Sequence, residues 1–391
     1  SVVTGDGQGV QIVPPFDAEI AAAIEATPPA DQVPMNDDLV EAVDPRDEYV
    51  AEAVKLASGD EAARADLRIV LTAMHGVGAS MTARVLAEAG FANVSLVAAQ
   101  AEPDPDFPTV PFPNPEEAGA LDMAIEQARA EGADLIIAVD PDADRCALAV
   151  PDPGAEAGWS PLSGDQIGCL LGEFLAARGL EGSLANSIVS SRLLARIAEA
   201  HGLVHHTTLT GFKWIARAPK LAFGYEEAIG FCPNPQIARD KDGIASSVVA
   251  ASLFAALKVE GRTAWDELDR LAHVHGLHVT GPLTFRVEEI EQIAAGMARL
   301  RAQPPSVLAG SPVVEVSDLS EGYRGLPPTD GVLVVTEAGD RVIARPSGTE
   351  PKLKCYLEVI LPAPEGEPVP WEAARERLEL IKSEFGRIIG L

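Results

Sequence analysis

Leu135-Ile136-Ile137-Ala138-Val139-Asp140-Pro141-Asp142-Ala143-Asp144-Arg145 joins a short apolar run to three alternate carboxylates and an arginine. Five consecutive apolar residues rich in isoleucine and valine read as a buried strand of the kind that helices cover in parallel sheets. That strand empties directly into oxygen ligands, and open α/β sheets collect their ligand sites at the carboxyl ends of strands. Asp140, Asp142 and Asp144 offer the hard donors a divalent cation takes. Arg145 adds a planar fork suited to phosphate. Metal beside phosphate is the first expectation.

The sequence on either side repeats a regular pattern. Upstream, a helix is expected from about Asp38 to Ser58, a strand at Leu67–Met74, a helix at Ala79–Ala89, a strand at Ser95–Ala98 and a helix at Glu116–Glu131. Strands alternating with helices of this length imply β-α-β units and a largely parallel sheet. Downstream the pattern restarts, with helices at Gly164–Arg178, Arg192–Ala200 and Ile244–Val259 and strands at Ser187–Ser190 and Leu221–Gly224. Residues 262–278 read as a helix followed by a His-rich hinge, with His273, His275 and His278 at the hinge or surface. The last hundred-odd residues change character. Strands at Leu283–Val287, Val332–Thr336, Arg341–Ala344 and Leu353–Val359, closed by a helix at Trp371–Gly390, predict an α+β unit with an antiparallel sheet. Before all of this, Pro28, Pro29 and Pro34 mark a linker after a short amphipathic helix at Asp17–Ala26.

Bulk properties narrow the function. With 59 acidic against 30 basic side chains the net charge is −29, which excludes a nucleic-acid-binding face and leaves phosphate to be met by local basic clusters. The four cysteines are scattered without a C-x-x-C pair, which suits a reducing compartment and disfavours a zinc site. No apolar stretch reaches membrane-spanning length and the first residues lack a signal-peptide pattern. A cytoplasmic protein with no membrane partner is expected; its oligomeric state is not legible.

Four further stretches carry chemistry. Arg345-Pro346-Ser347-Gly348-Thr349-Glu350-Pro351-Lys352 lies between two strands and combines cations, hydroxyls and a glycine amide, the mixture a phosphate wants. A bare hairpin loop would read the same way. Gly224-Tyr225-Glu226-Glu227-Ala228 ends a strand with twin acids that could accept hydrogen bonds from vicinal sugar hydroxyls, or complement a helix dipole. Arg239-Asp240-Lys241-Asp242-Gly243 and Thr210-Gly211-Phe212-Lys213-Trp214 place basic residues in an acidic chain, as ligands or as ordinary surface charge. Gly76-Val77-Gly78 sits in a strand-to-helix turn, yet no G-x-x-x-x-G-K-[ST] pattern follows, so it is not a nucleotide loop. The acidic loop is not an EF-hand, since Arg145 stands at its sixth position and Pro151 at its twelfth. A haloacid-dehalogenase-type nucleophile site is its nearest competitor, although Asp144 stands where that family expects Thr or Val.

Taken in order, Asp140 to Arg145, Gly224 to Ala228 and Arg345 to Pro351 resemble the metal, sugar and phosphate loops of the α-D-phosphohexomutase superfamily, the phosphoglucomutases and phosphomannomutases. The Thr210 to Trp214 stretch and Glu226-Glu227-Ala228-Ile229-Gly230 look closest to its phosphoglucomutase-2/phosphopentomutase branch, which brings a pentose phosphate into the substrate range. The resemblance implies repeated mixed α/β domains around a cleft plus a C-terminal α+β domain. Residues 1–34 would be the tail of a first domain and a linker, 35–155 domain II, 156–278 domain III and 279–391 domain IV. The family's Thr-Ala-Ser-His-Asn-Pro serine motif does not occur in this sequence, and Gly9–Ile24 resembles the stretch that follows it, so most of the first domain is expected to be missing here.

What the resemblance implies chemically is a Mg²⁺-dependent phosphosugar mutase, an intramolecular phosphotransferase working through a phosphoserine and a sugar 1,6-bisphosphate. Asp140, Asp142 and Asp144 would hold the metal and Arg145 would steady the transferring group. Glu226 and Glu227 would take sugar hydroxyls. Arg345, Ser347, Gly348, Thr349 and Lys352 would clamp the unreacting phosphate. Lys241 is a candidate for phosphate contact and acid–base work, with Thr210, Gly211, Lys213 and Arg239 as further substrate contacts. The alternatives are a haloacid-dehalogenase-like phosphatase and a non-catalytic sugar-phosphate binder.

Overall fold

The computed structural model describes residues 8–287, 289–347 and 351–390. The chain forms two compact units, one from the residues up to Leu162 together with Gly211–Glu260, the other from Ser163–Thr210 with the residues from Gly261 onward.

In the first unit Leu135–Val139 is buried along its whole length. It pairs in parallel with Arg68–Thr72, which pairs in parallel with Asn93–Leu96. On its other side Cys146–Pro151 runs antiparallel to it, followed by Trp159–Pro161, also antiparallel. The sheet is therefore mixed rather than largely parallel. The acidic loop is too short for a crossover, which needs about a dozen residues, so the chain turns straight back. The helix expected from Asp38 begins only at Arg46, after Pro45, and ends at Val54. The one expected from Glu116 begins at Asp122, because Glu117 and Ala120 close successive turns and Gly119 takes a φ of 82°. The helix Gly243–Val259 is buried on nearly every face. It packs against the helices Arg46–Val54, Glu61–Asp66 and Ala79–Glu88 and the strands Leu135–Val139 and Cys146–Pro151. Among the described residues no single helix is long and apolar enough to cross a membrane.

The second unit holds an antiparallel sheet in the order Leu277–Arg286, Lys352–Leu361, Arg341–Pro346, Val332–Thr336, Ser311–Asp318, Val307–Leu308. Alternation sorts its faces. Leu353, Cys355, Leu357 and Val359 join the helices Ile290–Ala302 and Trp371–Ile389 in the core, while Tyr356 packs with Ile188, Val189 and Ile343 on the other face. The strand expected at Ser187–Ser190 is observed at Ser183–Ser187, paired in parallel with Val204–Thr208. It stops there because the Ser190 amide closes a turn on the Ser187 carbonyl.

One polar node crosses that sheet face. Glu358, fully buried, accepts hydrogen bonds from Ser191 Oγ (2.9 Å), the Arg192 amide (2.7 Å) and Arg192 Nε (2.6 Å). His278 Nδ1 lies 3.1 Å and Arg341 Nη2 3.2 Å from the same carboxylate. Burial alone would raise the Glu358 pKa, but Arg341, His278 and Arg192 hold it well below the ordinary carboxylate value. His278 thus corrects the expectation of a hinge or surface histidine: its side chain is 3% exposed and sits within the strand Leu277–Arg286.

Candidate active site

The acidic loop closes on itself. Asp140 accepts the Arg145 amide on Oδ1 (3.0 Å) and Arg145 Nε on Oδ2 (2.6 Å). Ala143 takes a φ of 60° between Asp142 and Asp144, a left-handed turn that sends both side chains off the same bend. The three aspartates bring carboxylate oxygens within 4.8 Å of one another. The donor set is all carboxylate oxygen, which fits a hard divalent cation. Burial raises the Asp140 pKa, and Asp144 adds to that; Arg145 opposes both. Two acids compressed in this way favour a nearby positive charge.

Three glycines shape the loop from outside. A Cβ on Gly76 would lie 2.6 Å from the Pro141 carbonyl oxygen, and one on Gly78 would strike Ala143 Cβ. One on Gly243 would lie 2.7 Å from the Ala143 carbonyl oxygen. Amides of Val77 and Gly243 donate to the Pro141 and Ala143 carbonyls, at 2.9 and 3.1 Å. Gly76-Val77-Gly78 is thus the bed of the acidic loop, a role its glycine spacing did not disclose.

The twin-acid stretch lies beside it. Leu221–Glu226 turns back antiparallel into Gly230–Cys232, pairing Glu226 with Gly230. The Cys146 amide donates to the Ile229 carbonyl (3.1 Å), and Arg145 bridges to Gly230. Burial, with Glu227 and Asp144 adding repulsion, pushes the Glu226 carboxyl up to about 7 against the pull of Lys241.

Lys241 connects the two loops. Its Nζ reaches Asp144 Oδ2 at 2.9 Å and Asp240 Oδ1 at 3.5 Å, and sits 5.6 Å from the centre of the Phe212 ring. Burial lowers the Lys241 pKa, yet the bond to Asp144, with Asp240 and Glu226, leaves it above its ordinary value. Its aliphatic stem crosses Gly230, where a Cβ would lie 2.9 Å from Lys241 Cγ and 3.1 Å from Glu226 Cγ. Gly230→Ala should therefore leave the fold intact, because only side chains must yield, while moving Lys241 off Asp144. A crystal structure of the variant checks this; Lys241 still at Asp144 would show that the slot is not needed.

The remaining expected contacts are placed as follows. Gly211, at φ 103°, precedes the short helix Phe212–Ile215 that carries Lys213, and Thr210 is half-buried just before it. The Arg239 guanidinium donates to the Gln8 carbonyl (3.1 Å) and the Ala216 carbonyl (2.8 Å). In the second unit Arg345 and Lys352 lie on neighbouring strands, and the Ser347 amide closes their hairpin on the Lys352 carbonyl (2.8 Å). Gly348 and Thr349 lie outside the described residues.

Three matches to family models follow the chain in order: phosphoglucomutase/phosphomannomutase alpha/beta/alpha domain II over residues 47–154, domain III over 163–273 and the C-terminal domain over 256–367. A probable phosphomannomutase of Haemophilus influenzae is 43% identical over 361 residues, covering 90% of this chain and 72% of its own length. A probable phosphoribomutase of Schizosaccharomyces pombe is 32% identical, with 90% of this chain and 66% of that protein covered. The crystal structure of a putative phosphomannomutase from Thermus thermophilus superposes with a TM-score of 0.64 at 23% identity, covering 88% of this chain and 66% of that one. The sequence thus spans between about two thirds and three quarters of the length of these three proteins.

Proposed function

Because the chain belongs to the phosphoglucomutase/phosphomannomutase family, we propose that the whole protein is a phosphosugar mutase interconverting sugar 1-phosphates with 6-phosphates, or with 5-phosphates when the sugar is a pentose. The observation that carries this reading is the single arrangement in the first unit: three aspartates with oxygens within 4.8 Å, Arg145 bound to Asp140, and Lys241 bound to Asp144 next to the Glu226 turn. The expected phosphoryl donor is a phosphoserine outside the residues of this sequence, and a sugar bisphosphate is the expected intermediate.

Asp140, Asp142 and Asp144 would hold Mg²⁺, which when bound supplies Lewis-acid neutralisation of phosphoryl charge. Arg145, steadied by Asp140 through Nε, keeps guanidinium N–H groups to orient the transferring phosphoryl. Lys241 provides a second cation on the same side, and its pKa, held above the ordinary value by Asp144, keeps it charged for phosphate contact rather than free to take a proton as a base. Glu226, near pKa 7, is suited to accept a hydrogen bond from a ring hydroxyl, with Glu227 beside it. Arg345, Ser347, Gly348, Thr349 and Lys352 would clamp the unreacting phosphate, with Thr210, Gly211, Lys213 and Arg239 as secondary contacts. Chemistry of this kind rests on positioning and charge stabilisation.

The test uses the full-length protein with Mg²⁺ and a trace of glucose 1,6-bisphosphate, following glucose, mannose and ribose phosphates by ³¹P NMR. Mannose and ribose are included because the two relatives named above are a probable phosphomannomutase and a probable phosphoribomutase. Conversion between the 1-phosphate and the terminal phosphate of at least one sugar is expected. Release of free phosphate without a bisphosphate requirement would point to a phosphatase, and binding without turnover to a non-catalytic binder.

A further inference from the structure

Tyr49, in the helix Arg46–Val54, donates its hydroxyl to Asp242 Oδ1 at 2.6 Å. The same oxygen accepts the Ala245 amide at 2.8 Å, so Asp242 caps the long helix Gly243–Val259. The next residue, Gly243, donates its amide to the Ala143 carbonyl at 3.1 Å. Ala143 is the left-handed residue between Asp142 and Asp144. Gly243 has no side chain, and a Cβ there would lie 2.7 Å from the Arg145 carbonyl carbon as well as from the Ala143 oxygen. The helix start and the acidic loop therefore meet backbone to backbone.

Such a junction transmits small displacements. Asp242 is 9% exposed, so water offers it little in exchange for a lost hydroxyl donor. A buried carboxylate deprived of one partner must turn toward its others, and the first turn of the helix turns with it. Close-packed interiors pass such shifts on rather than absorbing them. The Ala143 carbonyl is the next atom in line, and its movement changes the separation of the Asp142 and Asp144 oxygens.

We propose that Tyr49 is a positioning residue for the divalent-metal site, setting the spacing of Asp142 and Asp144 through Asp242 and Gly243. The inference rests on the metal role assigned above to the three aspartates. Tyr49 would act through Asp242 rather than as a ligand. Its influence is on affinity.

The full-length protein is titrated with Mn²⁺ and free ion is followed by electron paramagnetic resonance, for the unaltered chain, Tyr49→Phe and Val50→Ala. Tyr49→Phe removes only the hydroxyl. Val50, 1% exposed in the same helix, tests general loosening of that helix instead. Tyr49→Phe should weaken Mn²⁺ binding roughly tenfold, the scale seen when groups that orient metal ligands are removed. Val50→Ala should lower the thermal midpoint of the metal-free chain yet keep the Mn²⁺ affinity within about twofold. An unchanged affinity in Tyr49→Phe, or an equal loss in Val50→Ala, would overturn the inference while leaving the metal reading intact. Absence of Mn²⁺ binding in the unaltered chain would overturn both.

Discussion

Asp142→Asn is expected to reduce divalent-metal affinity by at least about a hundredfold, with no measurable change in stability. Asp142 is the exposed member of the triad, whereas Asp140 is buried and holds both the Arg145 amide and its Nε. An exposed carboxylate can become an amide at little cost to folding, since surface substitutions usually stay within about 0.5 kcal/mol. Metal binding has no such latitude. Groups that merely orient a metal ligand already cost 10–100-fold when removed, on the order of what a direct ligand must exceed. Isothermal titration with Mg²⁺ or Mn²⁺, alongside urea unfolding, separates the two effects. Asp140→Asn is the contrasting variant, expected to lose both metal and stability. Equal metal affinity in Asp142→Asn and the unaltered chain would remove Asp142 from the site.

Glu358→Ala is expected to destabilise the second unit by about 3–5 kcal/mol, the usual cost of breaking a buried ion pair from one side. The carboxylate is 0% exposed and serves Ser191, Arg192, His278 and Arg341 together. Removing it takes the counter-charge from the Arg341 side chain, which is 8% exposed in the intact protein and donates to the carbonyls of Ile188, Val189 and Ser190. Total stabilities of roughly 5–15 kcal/mol make such a loss large enough to shift the urea midpoint substantially. A change below about 1 kcal/mol would mean that the node contributes register rather than stability.

The acidic loop was readable because its pattern is local: strand, turn and clustered carboxylates occupy eleven consecutive residues, Leu135 to Arg145. An antiparallel C-terminal sheet was expected and is present, and the helix expected at Gly164–Arg178 spans Gly164–Ala176, opened by a capping box on Ser163. Part of what escaped depends on partners distant in sequence, and part on local pattern-breakers. Glu358 in Lys352–Leu361 looks like any solvent-facing charge until Arg192 and Arg341 are brought to it. Val204–Thr208 was hidden because His205 and His206 interrupt its β-branched run. The first half of Leu277–Arg286 was masked by Gly281 and Pro282, tolerated because this strand lies at the sheet edge. Ile290–Ala302 was missed although Ile293, Met297 and Leu300 mark one helical face. Tyr49 carried no signal at all, since only the folded chain sets its hydroxyl on Asp242.

The three glycines around the acidic loop have a consequence for how this protein can change over time. Gly76 and Gly78 share one turn while Gly243 comes from a distant part of the chain, and each faces backbone or a methyl group that has nowhere to retreat. At these three positions the smallest available step, to alanine, already collides with the loop. Change around the site is thereby channelled, since the emptiness that holds the acidic loop has no neighbouring variant to explore at these three positions.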